Sequence, residues 1–260
     1  MRIITFGGYN LEAAGEPGLT NDGGNTPARG FEMEKSVILI LAAHLIGDFP
    51  LQPDWLAEKK KSNLRYLILH AVLQGALAYL AFQVWRCWQL PCLVALSHAL
   101  IDALKRRSSD TSATFVIDQA LHAAFLSGIV FCLQSYALLP AYRGIGYSVI
   151  VVSGGFAATV IGAGFFIGKF MKRLIEGSGL NLNGLANAGK WIGQLERALI
   201  FIFVLVGYLE GVGFLVAAKS ILRFKETEEQ KMAEYVLVGT LLSFFLAIAL
   251  ASATKWAMKL

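Results

Sequence analysis

The chain has 260 residues, of which 56% are hydrophobic and 16% charged, against roughly 45–50% and 25% in an average soluble domain. This balance argues against a soluble globular protein and predicts an all-α, polytopic helical membrane protein with about seven transmembrane helices. The net charge of +5 is then read through loop topology and anionic headgroups, with the lipid bilayer as partner and no nucleic acid expected.

Residues 1–32 are rich in Gly, Asn, Thr and Pro and show no apolar periodicity. They lack the basic start and apolar centre of a signal peptide and predict a disordered tail. Met33, directly before the first apolar segment, is an alternative start. The first span runs from about Lys35 to Pro50, where Pro50 and Pro53 stop the helix. A basic loop from Glu58 to Arg65 follows, then spans at Leu64 to Trp85 and about Trp88 to Leu104. The fourth covers about Thr114 to Leu139, and Pro140 ends it. The fifth, from Gly146 to about Phe170, is dense in Gly and Ala, as close helix packing in lipid requires. A Gly/Asn loop over Glu176 to Lys190 leads to a sixth span, Trp191 to about Ala218, which is long for one crossing, and a seventh covers Met232 to about Lys255. The expected organisation is therefore a tail (1–32), a four-helix membrane domain (33–142) and C-terminal membrane helices (143–260).

Basic residues gather after spans one, three and five, which places those loops in the cytoplasm. Lys219, Arg223, Lys225 and Lys231 break the pattern. Gly207, Gly211 and Gly213 offer an alternative to a single crossing, by breaking residues 191–225 into a re-entrant hairpin that puts this loop inside, so the topology after residue 190 stays open. Cys87, Cys92 and Cys132 are too few and scattered for a disulfide framework, and no CxxC is present.

Within these apolar spans His44 and Asp48 stand four residues apart, as do His98 and Asp102, and, in reverse order, Asp118 and His122. Residues i and i+4 share one helix face. His70 completes the four histidines of the chain. Successive helices cross in alternating directions, and the positions of these residues along their spans alternate too. The two alternations cancel and give one depth near the cytoplasmic ends. An Asp at mid-bilayer costs on the order of 2.5–3.5 kcal/mol, so three at one level call for compensation. A divalent cation supplies it, because it favours carboxylates and neutral imidazoles. The candidate ligands are His44, Asp48, His70, His98, Asp102, Asp118 and His122. Imidazole with carboxylate suits zinc first, with manganese or iron as alternatives. Seven candidates exceed one tetrahedral shell, so either two metals bind or some members orient ligands or take a proton. Asp48, Asp102 and Asp118 are the candidate catalytic carboxylates. The competing reading is a polar packing network without metal.

At the inner interface, Gln52, Lys59, Lys60 and Lys105 are candidate contacts for an anionic lipid substrate, and Trp55 reads as an interface anchor. Glu196, Arg197 and Glu210 lie within the sixth span and Lys219 just after it, as structural ion pairs or as functional charges.

Taken together, His44-x3-Asp48-Phe49-x-Leu51-Gln52, Ser97-His98-x3-Asp102 and Phe115-x-x-Asp118-Gln119-x-x-His122 resemble the bacterial membrane family known as "domain of unknown function 3307". The resemblance covers roughly Val37 to Cys132, and Glu196 to Ser243 is similar to the C-terminal half of longer members. It implies a multi-pass protein of the bacterial inner membrane and brings no activity with it. A weaker similarity, confined to the His-x3-Asp helices, is to inner-membrane proteins named metal-dependent hydrolases. Three functions are expected to compete: a metal-dependent hydrolase of a lipid or membrane-borne substrate, a transporter or channel for a divalent cation or proton, and a non-catalytic scaffold or sensor with a structural metal.

Overall fold

A computed structural model describes the backbone of residues 26–140, 142, 144, 146–176, 186–223 and 230–260. Helix is the regular structure among the described residues, as the composition predicts. The expected tail lies mostly outside them, but α1 (Thr26–Asp48) begins inside the 1–32 stretch. Pro27 does not prevent this, because in the first turn its missing N–H has no partner to lose.

The segment read as a basic loop is mostly helical. It forms α2 (Asp54–Ser62), with Asp54 in the first turn and Lys59, Lys60 and Lys61 in the last. Both charge sets match the helix dipole, which the run of lysines concealed. The Asn63 side chain accepts the Arg65 N–H at 2.9 Å and starts α3 (Leu64–Phe82). Next comes α4 (Gln89–Lys105), and a Thr111–Thr114 capping box opens α5 (Ser112–Ser135). α6 (Tyr147–Phe156), a π-helical stretch (Ala157–Gly162) and α7 (Ala163–Glu176) form one continuous rod. The C-terminal helices are α8 (Ala186–Val206), α9 (Leu209–Arg223) and α10 (Gln230–Ala257).

α1, α3, α4 and α5 enclose one apolar core, which includes Leu39, Ile40, Leu90, Val94, Leu126 and Val130. A second core joins α8, α9 and α10 through Ile200, Phe201, Val204, Phe244 and Ala247. The α6–α7 rod bridges the two. Its Gly154 lies so close to α1 that a Cβ there would meet the Ala42 Cα at 2.7 Å, the close packing that the Gly/Ala-rich segment predicts.

Among the described residues, four helical stretches are long and apolar enough to cross a membrane: Leu64–Phe82, Ser112–Ser135, Tyr147–Ile175 and Glu234–Ala257. Seven were expected. α4 and α9, with 17 and 15 residues, are short against the ~20 needed. α1 and α8 carry several charged residues within their length.

The sixth predicted span is not one helix. Gly207 takes φ +87° between α8 and α9, and both its N–H and that of Tyr208 donate to the Phe203 carbonyl, at 2.9 and 2.8 Å. This left-handed glycine closes α8 in the manner of a Schellman cap. α9 then folds back, so that Lys219 reaches Glu196 at the midpoint of α8. The segment is thus two helices broken at Gly207, not one long rod.

Candidate functional site

α1, α3, α4 and α5 each bring a histidine to one buried point. His44, His70, His98 and His122 are at most 5% exposed. The His98 ring centroid lies 5.4 Å from His44, 4.8 Å from His70 and 4.3 Å from His122. Asp48 is the hub of the carboxylates, 3.2 Å from His70 Nε2, 3.4 Å from His98 Nε2 and 3.6 Å from His44 Nε2. Asp102 lies 3.7 Å from His98 Nε2, and Asp118 lies 3.7 Å from His122 Nδ1. All seven sequence-predicted residues therefore meet. Three overlapping sets (His44, Asp48, His98; His70, His98, Asp102; Asp102, Asp118, His122) offer ligand atoms within 4.8 Å of one another.

Local geometry prepares one of these imidazoles. His122 Nδ1 stands 2.9 Å from the Asp118 backbone carbonyl. Donation there fixes the tautomer and leaves the Nε2 lone pair bare, the arrangement a ligating histidine needs. Among the described residues, His122 Nε2 is buried without a hydrogen-bond partner, as are both ring nitrogens of His44 and His98, His70 Nδ1, and Asp118 Oδ1.

Two lysines close the cluster. Lys60 Nζ lies 2.7 Å from Asp102 Oδ2, and Lys105 Nζ 2.5 Å from Asp118 Oδ2. Lys60 also donates to Gln52 Oε1 at 3.1 Å, so Gln52 joins the site through Lys60. Lys59 does not join it. Its ammonium lies over the Trp55 and Tyr66 rings, 5.7 and 5.2 Å from their centroids. Three carboxylates thus face two ammonium groups, which leaves one negative charge when the imidazoles are neutral.

Gln74 and Gln119 extend the set. Gln74 Nε2 donates to Asp48 Oδ1 at 2.7 Å, and Gln119 Nε2 donates to Asp48 Oδ2 at 3.1 Å and Asp118 Oδ2 at 3.4 Å. Gln119 entered the sequence reading only as part of a motif, and Gln74 not at all. Gly47 makes room for Gln74, since a Cβ at that position would meet the amide nitrogen at 2.5 Å.

Outside the cluster, Glu196 pairs with Lys219. Arg197 instead donates to the Val160 carbonyl from Nε at 3.2 Å and Nη2 at 2.8 Å, and to Ser243 Oγ from Nη1 at 3.3 Å.

No curated protein and no solved structure matches the chain. Residues 37–143, which hold all seven cluster residues together with Gln74 and Gln119, match the family described as "Protein of unknown function (DUF3307)".

Proposed function

We propose that the chain is a multi-pass protein of a bacterial inner membrane whose His/Asp cluster holds a divalent metal, zinc in first place. We propose further that this centre hydrolyses a lipid or another membrane-borne substrate at the cytoplasmic leaflet. The observation that carries the reading is the group of imidazole nitrogens buried without hydrogen-bond partners around Asp48. Each such group costs about 1–3 kcal/mol. Interhelical hydrogen bonds in membranes return only about 0.6 kcal/mol each. A packing network alone is therefore a poor reason for so many imidazoles in one place. A cation takes their lone pairs and neutralises the excess carboxylate charge.

A bound divalent ion supplies Lewis acidity and a water acidic enough to ionise near neutral pH. The chain contributes the rest. Asp118 Oδ1, which has no hydrogen-bond partner, is the carboxylate oxygen open to accept a proton. Lys60 and Lys105 offer cations to an anionic headgroup once it draws them from Asp102 and Asp118. Transport is the weaker reading, because Leu39, Phe82, Leu90, Leu126 and Val130 form an apolar core among the same four helices.

Elemental analysis of purified wild type beside His98→Ala tests the metal. Stoichiometric metal in the first and loss in the second are expected, and equal content in both overturns the centre. Turnover of phospholipid and prenyl-phosphate panels with and without EDTA tests the chemistry. Metal-independent turnover, or none, overturns the hydrolase. A structural metal would instead make His44→Ala misfold, and ion flux into liposomes would favour transport.

A further inference from the structure

A second site lies outside the cluster. A cleft of about 1050 Å³ opens between the α1–α2 connection, α7, α8 and α10, at the upper end of the ~300–1,000 Å³ usual for ligand pockets. Arg197 stands in its wall and is only 5% exposed. Its three hydrogen bonds go to neutral acceptors, the Val160 carbonyl and the Ser243 hydroxyl. A guanidinium carries five N–H donors, so two remain without a partner among the described residues. The adjacent carboxylate, Glu196, is bonded by Lys219. Glycines open the space around the cation: a Cβ at Gly164 would meet Nη2 at 2.7 Å, and one at Gly193 would meet Nη1 at 3.0 Å. Phe165, Ile192 and Val236 make the neighbouring wall apolar.

A buried cation with spare donors beside apolar lining fits one kind of ligand, an anionic head on a hydrocarbon chain. Arg is well suited to the head, because its planar fork matches phosphate oxygens two at a time. We infer that this cleft binds a lipid with a net-anionic phosphate head, with its phosphate on Arg197 and its chain along the Phe165–Ile192–Val236 wall. The site stands whether or not the His/Asp cluster holds metal.

The test uses full-length protein in detergent, titrated with dioleoyl phosphatidic acid and, separately, dioleoyl phosphatidylcholine, and read by native mass spectrometry. Phosphatidic acid should bind at least about tenfold more tightly, the scale of one or two charge-assisted hydrogen bonds. Arg197→Gln should remove that preference. Gly168→Phe provides a second variant that leaves the guanidinium untouched. Gly168 lines the cleft and a Cβ there would meet nothing within 4 Å, so a bulky side chain can start into the cleft from this position. It should abolish binding of the acidic lipid. Equal affinity for the two lipids, or wild-type binding by either variant that folds, overturns the proposal. Complete displacement by millimolar inorganic phosphate overturns the lipid assignment in favour of a soluble phosphate. Metal content of the same samples reads the cluster separately, so loss of one property is distinguishable from loss of the other.

Discussion

Gln74 and Asp48 stand 26 residues apart on different helices, and the Gln74 amide donates to the Asp48 carboxylate at 2.7 Å. The bond ties α3 to α1 at the centre of the cluster and orients the one carboxylate that faces three imidazoles. Partners of this kind usually alter metal affinity by about 10–100-fold. Gln74→Leu keeps the volume and removes the bond. The expected outcome is a folded protein whose metal is stripped by about 10–100-fold less chelator. Unchanged chelator competition would reduce Gln74 to a packing residue.

Gly47 tests the same bond without removing a polar group. A Cβ at that position collides with the Gln74 amide, so Gly47→Ala should push the amide off Asp48 and weaken metal binding in the same direction. Gly128 is the control: a Cβ there meets nothing within 4 Å. Gly128→Ala should bind metal as wild type does and, as a helix-interior change, stabilise the fold by up to about 1 kcal/mol. Thermal unfolding and metal competition on the two variants side by side decide the point.

Lys60 and a metal ion would compete for Asp102. The pair is closed, with Lys60 13% and Asp102 4% exposed. Removing one partner of such a pair costs about 3–5 kcal/mol, because the other charge stays buried. Lys60→Met should therefore unfold at lower temperature than wild type when metal-free, and regain more stability than wild type on adding zinc. Unfolding in EDTA and in excess zinc provides the comparison. An equal zinc-induced rise in both proteins would exclude the competition.

The cluster was legible because its seven members carry charge or an imidazole, and such groups stand out in apolar helices. Gln74 obeys the same rule, four residues after His70, but an amide has no ionic cost to betray it. Gln119 neighbours Asp118 in sequence, and only the packing of α5 on α1 reveals that it also reaches Asp48. α2 was hidden because a run of lysines reads equally as a solvated loop or as the last turn of a helix. The break at Gly207 could be foreseen only as one of two options, because glycine is common inside membrane helices as well as between them. Gly211 and Gly213, offered by the same argument, lie inside α9.

The φ of +87° at Gly207 costs an L residue about 1–2 kcal/mol. Gly207→Ala should lower thermal stability by that amount. Gly213→Ala, in open space within α9, should not. Melting curves of the two variants in detergent check this, and equal behaviour would mean that the α8–α9 turn relaxes to accept a side chain.

Asp110, on the connection before α5, pairs with Lys169 of α7 and so links the four-helix core to the rod beside it. The hydrogen bond from Lys169 holds the Asp110 carboxyl below the usual carboxylate range. A depressed acid stabilises the fold above its ordinary pKa, and the contribution disappears as pH falls through the folded value. Asp110 is 64% exposed, so solvent and salt limit the gain to at most about 1 kcal/mol. Asp110→Asn should therefore melt slightly below wild type near neutral pH in low salt. The gap should close at high salt, and again once the pH drops below the carboxylate range. A gap that persists in acid would assign the effect to packing of the loop, not to the charge.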